Sequence, residues 1–186
     1  MNFIVAQLLL HCSETFAFWL FVALIKDYKM EEIYGLQLRG LFLHSAVIEV
    51  LLQANLPELH QRLHQFNLKA NIYAGEWIVG LFASVIPTEH MGAFFDKFFE
   101  QRWPFFYQLV LTLLKRHEKE IRHEEDMYSL LRQIKVAYLD RNTKTVADQT
   151  INRDLTEAEA HGLVSQTGQS EESVDREGVK NTCDSD

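Results

Sequence analysis

Apolar side chains recur along this chain at the three-to-four-residue spacing of an α-helix, without the alternation of a β-strand. The clearest stripe follows Phe105, where apolar residues return one, four, five, eight and nine positions later. Such spacing places its members on one face of a helix. The stripe consists of Phe105, Phe106, Leu109, Val110, Leu113 and Leu114. We therefore predict an all-α protein built from several amphipathic helices.

Prolines mark where these helices begin and end. Pro57 stands where the first turn of a helix tolerates proline, and the residues after it continue at helical spacing. A helical stripe over residues 73–86 is stopped by Pro87. Trp103 and Pro104 separate two further Phe-rich stretches. These signals predict amphipathic helices joined by short links.

The segment Phe16–Ile25 is apolar on every side, which is typical of a helix surrounded by other helices. Ser13 precedes it and is a suitable N-cap. Large aromatic residues at helical spacing usually pack inward, so we expect Trp77, Phe18 and Trp19 in the core.

Composition supports one core-forming domain. The chain has 186 residues, is 47% hydrophobic and contains only 8 Gly and 3 Pro, which favours long helices over many short strands. Cys12 and Cys183 lie at opposite ends of the chain and form neither a disulfide framework nor a metal-ligand cluster. A reducing compartment is therefore expected.

The acidic charge is concentrated at the C-terminal end. Nine of the 26 acidic residues lie between Asp154 and Asp186, where only Arg176 and Lys180 oppose them. The net charge of −8 argues against a nucleic-acid partner, since phosphate binding needs clustered Lys and Arg. Residues 126–140 predict one additional amphipathic helix. We expect a polar acidic tail over residues 141–186 that is largely disordered from about residue 162, where large apolar residues are few.

Two apolar stretches near the start raise the question of membrane insertion. Phe3–Leu10 and Phe16–Ile25 are interrupted by Gln7, His11 and Glu14, whereas a spanning helix needs about 20 apolar residues. A secretory signal would also need a basic leader, which is missing before Phe3. We predict no membrane insertion.

Several short segments, taken in order, carry a family resemblance. They are Met1-Asn2-Phe3-Ile4, Leu8-Leu9-Leu10, Ala17-Phe18-Trp19, Leu56-Pro57-Glu58-Leu59, Tyr73-Ala74 with Trp77, Phe94-Phe95-Asp96, and Phe105-Phe106 with the Leu109 to Leu114 helix. Their order and spacing resemble the C-terminal part of a TBC domain, the fold of Rab GTPase-activating proteins. The resemblance covers about residues 1–125, which we interpret as the C-terminal portion of that domain.

The resemblance implies a regulator of another enzyme, one that speeds GTP hydrolysis on a Rab GTPase. The family supplies an arginine finger from an Ile-x-x-Asp-x-x-Arg motif and a glutamine finger from a Tyr-x-Gln-Gly motif. This sequence contains neither motif. In the family the glutamine motif directly precedes Met-Asn, which are residues 1 and 2 here. The expected explanations are a shortened gene model or a genuine finger-less protein.

Four internal arginines are the candidates to replace the missing finger: Arg39, Arg62, Arg102 and Arg116. None lies in the arginine motif or near a glutamine motif, and charged helix faces are ordinarily solvated. We therefore assign no catalytic residue.

Other candidate chemistry has structural explanations as well. His60 and His64 are one turn apart but lack a third metal ligand, so we expect helix-face histidines and no metal site. Asp96 is expected to hydrogen-bond a neighbouring helix, since a buried carboxylate needs a partner; the alternative is a direct contact with the GTPase. The chain has no P-loop motif, so we predict no cofactor and no nucleotide bound by the chain itself.

Three functions remain open. In the first, the chain is part of a Rab GTPase-activating protein that recognises a GTP-bound Rab and is inactive alone because both fingers are missing. In the second it is a finger-less Rab-binding module, and in the third it is a helical scaffold. The first two imply a cytoplasmic protein held at endomembranes by its Rab partner. If Phe3–Leu10 and Phe16–Ile25 lose their packing partners in the missing half, uncovered apolar surface should cause self-association.

Overall fold

The structure, a computed structural model, describes residues 1–139, which form ten α-helices and no strand. In chain order the helices are α1 (Asn2–His11), α2 (Glu14–Lys26), α3 (Met30–Tyr34), α4 (Arg39–Asn55), α5 (Pro57–Gln65), α6 (Ala70–Tyr73), α7 (Gly75–Gly80), α8 (Thr88–Arg116), α9 (Glu118–His123) and α10 (Met127–Leu139). The predicted all-α class is confirmed. The acidic tail predicted over residues 141–186 lies outside the described residues.

Helix α4 is the central element, because it contacts α3, α5, α6, α7 and α8. Its buried apolar face consists of Val47, Ile48, Leu51 and Leu52. Helix α3 comes very close to the start of α4 at Gly40. A Cβ atom added there would lie 2.8 Å from the backbone N of Ile33, so only glycine fits. This close approach fixes how α3 packs on the central helix.

The long helix α8 is broken at Arg102, whose φ of 60° and ψ of −145° are not helical. The sequence predicts a separation at Trp103 and Pro104, and the structure confirms it with the break one residue earlier. Pro104 then lies in the first turn of the second stretch, where a missing N–H costs little. Six aromatic residues on the two stretches are buried: Phe94, Phe95, Phe98, Phe105, Phe106 and Tyr107. They form an aromatic core beside α4.

The helical stripe over residues 73–86 is not one helix. Helix α6 ends at Tyr73 and α7 ends at Gly80, after which Leu81 and Phe82 take left-handed backbone conformations with φ of 45° and 57°. Phe82 is fully buried there and stacks on the ring of Trp77 at 5.6 Å. Burial of that ring offsets a backbone conformation that non-glycine residues rarely adopt.

Helix α1 contacts α8, and its residues Ile4 and Leu8 are buried. Between them, Gln7 donates through Nε2 to the Ala83 carbonyl and to the Thr88 hydroxyl, both at 3.3 Å. This side chain ties α1 to the start of α8.

Helix α2 is much less buried than its sequence predicts. Ser13 is its N-cap residue, although the hydroxyl makes no capping hydrogen bond. Of the thirteen residues of α2, only Ala17 and Leu24 are buried. These two are seven positions apart and define one narrow stripe, so the prediction of a helix surrounded by others is wrong. Helix α2 lies on the surface of the described part of the chain.

Candidate functional site

Arg62 takes part in holding α5 against the segment that follows α9. Its guanidinium donates to Gln65 Oε1 at 3.1 Å and to the carbonyl of Glu124 at 2.6 Å. It also lies over the ring of Phe66, 4.8 Å from the centroid. All of these contacts of the guanidinium are with other residues of the same protein, so Arg62 has a structural role.

Arg102 stabilises the break in α8. Its guanidinium donates to the Asp27 carbonyl at 3.1 Å and lies 4.6 Å from the centre of the Tyr28 ring. The neighbouring Trp103 indole N–H donates to the Tyr28 carbonyl at 3.2 Å, and the Tyr28 hydroxyl donates to the Phe99 carbonyl at 2.7 Å. Together these bonds hold a strained backbone against the turn between α2 and α3.

Three members of the arginine set are exposed: Arg102, described above, and Arg39 and Arg116. Arg39 is the first residue of α4, and Arg116 is the last residue of α8. A cation at a helix C-terminus interacts favourably with the helix dipole, which accounts for Arg116. Neither arginine has a hydrogen bond or ion pair within residues 1–139. Of the four candidate arginines, these two are therefore the ones without a polar partner in the described part of the chain.

The histidine pair belongs to a capping arrangement. The rings of His60 and His64 are 6.3 Å apart, and His60 Nε2 lies 3.5 Å from Glu49 Oε2. The other oxygen of Glu49 accepts a hydrogen bond from the backbone N–H of Ala70, the first residue of α6. In the described part of the chain no cluster of three metal-ligating groups occurs. Glu49 thus accepts a hydrogen bond at the start of α6, and His60 lies beside it.

Two aromatic predictions have opposite outcomes. Trp77 is buried, as predicted, and contacts Tyr73 and Phe82. Phe18 and Trp19 are not in the core: 59% and 62% of their surfaces are exposed. Their rings touch only edge to face, at 5.3 Å. The prediction that these two residues lie in the core is wrong, because most of the surface of α2 is not covered by other helices.

Asp96 also differs from the expectation. It is exposed on α8, and no hydrogen bond or ion pair joins it to another helix in the described range. Its neighbours Phe94 and Phe95 occupy the buried face, so the carboxylate lies on the solvated side of the same turn. The buried, hydrogen-bonded role predicted for Asp96 is therefore wrong.

An open cleft of about 530 Å³ lies between α5 and α9. Its walls are polar and consist of Glu58, Gln61, Arg62, Gln65 and Arg122. Arg122 forms ion pairs with Glu58 and Glu118, and Arg62 is engaged as described above. Arg122 is thus ion-paired with carboxylates, and the Arg62 guanidinium already donates to oxygens of the chain itself.

A buried polar pair lies in the aromatic core. His44 of α4 is 6% exposed, stacks on Trp103 at 3.7 Å and shares a 2.6 Å hydrogen bond between Nδ1 and the Tyr107 hydroxyl. Burial lowers the pKa of His44 to about 4, because the charged form loses its hydration there. The imidazole is therefore neutral at pH 7. The sequence gives no signal for this pair, since the two residues are 63 positions apart.

The most distinctive surface feature is apolar. Large hydrophobic side chains remain exposed on both α1 and α2, and we call this set the α1–α2 face. Its members are Met1, Phe3, Leu9, Leu10, Phe16, Phe18 and Trp19. None of the helices in residues 1–139 is long and apolar enough to cross a bilayer. The family resemblance led us to expect uncovered apolar surface on these two segments.

Comparison with known proteins identifies the family of this helical domain. The Rab-GTPase-TBC domain matches residues 1–122, which is most of the described chain. The chain belongs to the Rab-GTPase-TBC domain family. The resemblance predicted over about residues 1–125 is thereby confirmed, and Rab GTPases are the partners that this family implies.

Curated relatives of this TBC chain include regulators from fungi and animals. The human "Ecotropic viral integration site 5 protein homolog" is 29% identical over 129 residues, 69% of this chain and 16% of the relative. The "GTPase-activating protein GYP5" of Saccharomyces cerevisiae is 30% identical over 122 residues, 65% of this chain and 14% of the relative. The "GTPase-activating protein gyp2" of Schizosaccharomyces pombe is 26% identical over 149 residues, 80% of this chain and 21% of the relative. The chain thus spans only a small part of these proteins.

Proposed function

We propose that this TBC chain binds a GTP-bound Rab GTPase and does not by itself speed GTP hydrolysis. Family membership over residues 1–122 supports the Rab partner. The names of relatives such as "GTPase-activating protein GYP5" support a role in GTPase regulation. Binding to Rab would hold the chain at the cytoplasmic surface of endomembranes. The chain acts in this proposal as a regulator and carries no active site of its own.

The proposed lack of activity rests on the absence of both finger motifs from the 186 residues. Charge that develops on the transferred phosphoryl group must be neutralised, and an arginine finger contributes about 10³ to 10⁵ in rate in related GTPases. Arg62 and Arg102 are engaged in the chain's own contacts. Arg39 and Arg116 are exposed, but neither lies in the family's arginine motif. No residue here has the sequence context of a finger.

A single-turnover hydrolysis assay over a panel of Rab proteins tests this proposal. Each Rab is loaded with GTP and mixed with the full chain, with an active TBC protein as the positive control. We expect hydrolysis at the intrinsic rate of each Rab. Substantial acceleration would contradict the proposal, and the variants Arg39→Ala and Arg116→Ala would then show whether an exposed arginine replaces the finger.

Binding is measured separately, with each Rab loaded with GDP or with a non-hydrolysable GTP analogue. We expect at least one Rab to bind in the GTP-like state and to bind more weakly with GDP. Absence of binding across the panel would overturn the Rab-binding role. It would favour the third reading, a helical scaffold that acts through the exposed α1–α2 face.

A further inference from the structure

The solvent side of α4 is largely apolar, although the exposed side of a surface helix is normally polar. Leu38, Phe42 and Val50 are 41%, 54% and 48% exposed, and Ala46 is exposed too. These residues are spaced four positions apart, so each is a neighbour of the next on the helix surface. Leu38 joins the first turn, because the Phe42 N–H donates to its carbonyl at 3.2 Å. We call this stripe the α4 face.

Arg39 adds one positive charge to the α4 face. It lies three positions before Phe42, on the same side of the helix, and it has no polar partner within residues 1–139. A cation in the first turn interacts unfavourably with the helix dipole, so helix stability does not account for Arg39. A surface that covers this guanidinium without an opposite charge would leave a buried, unpaired cation, which is costly. Whatever covers the α4 face must therefore bring an acidic group to Arg39.

The turn that leads into the α4 face is held in one conformation. Leu38 is left-handed, with φ of 50°, and its N–H donates to the Gly35 carbonyl at 2.9 Å. Two positions later, the close approach of Gly40 to the backbone of Ile33 fixes α3 against α4. The turn leaves Leu36 fully exposed. Strained backbone of this kind is concentrated at binding sites, where a preorganised surface loses less freedom when a partner binds.

A second copy of the chain does not supply the acidic group. The only acidic residue of α4 is Glu49. One of its oxygens accepts the Ala70 N–H, and the other lies 3.5 Å from His60 Nε2. Pairing two α4 faces about a two-fold axis would therefore bury both copies of Arg39 without a free carboxylate.

An anionic bilayer is also a poor match. Recognition of anionic lipids usually takes a cluster of about four to eight Lys and Arg. Helix α4 has one arginine and no lysine. Glu31 and Glu32 on the preceding helix α3 are exposed and would be repelled by a negatively charged surface. A folded protein that presents an apolar patch with one carboxylate fits the α4 face better.

The part of the family domain that this chain does not contain leaves the α4 face unexplained, because the surface that we expect it to cover lies on α1 and α2. We propose that the α4 face is the surface through which the chain contacts a GTP-bound Rab, with Arg39 paired to an acidic side chain of that Rab. This inference rests on the proposed Rab binding and adds the docking surface.

Affinities of the full chain and its variants for a Rab that binds in the GTP-like state test this assignment. Arg39→Glu places a negative charge opposite the acidic side chain and should raise the dissociation constant by about 30-fold or more, the effect of losing one interface hot spot. Phe42→Ser removes apolar contact and should raise it by about 10-fold. Arg39→Lys keeps the charge and should lose less than Arg39→Glu. Since a carboxylate suits a helix N-terminus, thermal unfolding of Arg39→Glu should show no lower midpoint than the parent chain.

Matched controls are Arg116→Glu on α8 and Tyr128→Ser on α10. Arg116 is also exposed and without a polar partner in the described range, and Tyr128 is 80% exposed. Both controls should bind the Rab like the parent chain. Equal losses in the controls and the α4 variants would overturn the assignment.

Two further outcomes separate this inference from the proposed function. A Rab that binds the parent chain, Arg39→Glu and Phe42→Ser equally well would overturn the docking surface and leave Rab binding in place. A parent chain that binds no Rab would overturn both. Sedimentation with phosphatidylserine vesicles and sedimentation velocity of the chain alone complete the test. If the α4 variants abolish vesicle binding or self-association while Rab binding stays intact, the face belongs to lipid or to a second copy, and the assignment to Rab is wrong.

Discussion

Helices α2 and α8 both carry closely spaced aromatic residues, but only one of them buries these rings. On α8 the rings of Phe94, Phe95 and Phe98 are buried, whereas on α2 those of Phe16, Phe18 and Trp19 are exposed. Helix α8 contacts α1, α4, α9 and α10, while the main contacts of α2 are with α1 and α3. The same residue types therefore form a core where helices surround them and an apolar surface where helices do not. Helical spacing identifies the helix, but neighbouring elements decide its burial.

The largest expected effect comes from truncating one ring of the α8 core. Phe98 is fully buried, and its ring lies 5.5 Å from those of Tyr28 and Trp103. Phe98→Ala removes these contacts and leaves a cavity, so we expect the free energy of unfolding to fall by about 3–5 kcal/mol. Urea unfolding followed by circular dichroism measures this loss.

Phe18→Ala is the matched control on α2. Phe18 is exposed, so we expect its loss to change the free energy of unfolding by no more than about 0.5 kcal/mol. The measurement is made in dilute solution, because self-association would add concentration-dependent stability. Similar losses for the two variants would mean that α2 is packed as tightly as α8.

Helix boundaries and family were the parts most open to prediction from the sequence. Pro57 begins α5, and the element after Pro87 begins at Thr88, as the turn signals predict. Proline acts through its own covalent geometry, so its effect can be recognised without knowing the tertiary structure. The order of short segments was likewise sufficient to recognise the TBC family.

Burial and backbone strain were less predictable, because they depend on distant residues. An all-apolar segment such as 16–25 indicates a buried helix only if other helices cover it. The left-handed conformations of Leu81 and Phe82 are favourable because the Phe82 ring reaches the core, which periodicity alone does not reveal. The exposure of Asp96 has the same cause, since Phe94 and Phe95 determine which face of α8 is buried.

A second prediction asks whether the aromatic core excludes charge. His44 stacks on Trp103, and burial lowers its pKa from 6.5 to about 4. Between these two values the unfolded chain binds a proton that the folded chain does not, so stability falls as the pH decreases from 6.5 to 4 and levels off below that. The expected loss is about 3 kcal/mol at this site, because one pKa unit corresponds to about 1.4 kcal/mol.

Comparison with His44→Gln isolates this contribution, since glutamine is polar but does not titrate in this range. Chemical unfolding of both proteins at several pH values gives two stability curves. We expect the parent curve to fall more steeply between pH 6.5 and 4. Parallel curves would contradict the lowered pKa of His44 and show that water reaches its imidazole.

The smallest effects are expected at two glycines, one where α3 packs on α4 and one where α1 packs on α8. At Gly40 an added Cβ would lie 2.8 Å from the Ile33 backbone N and 2.9 Å from the Glu32 carbonyl carbon, and backbone atoms cannot move aside. Gly40→Ala must therefore push α3 away from α4, at a cost of about 1–3 kcal/mol. Thermal unfolding should show a clearly lower midpoint.

Gly92→Ala is the counterpart where α1 meets α8. The added Cβ would lie 3.3 Å from the ring of His11, an exposed side chain that can rotate away. Alanine also loses less backbone entropy than glycine inside a helix, by about 0.5–1 kcal/mol, so this variant should be neutral or slightly more stable. Equal destabilisation by both substitutions would place α1 under the same rigid constraint as α3. A difference in sign would show that the backbone contact of α3 on α4 at Gly40 is tighter than the contact of α1 on α8 at Gly92.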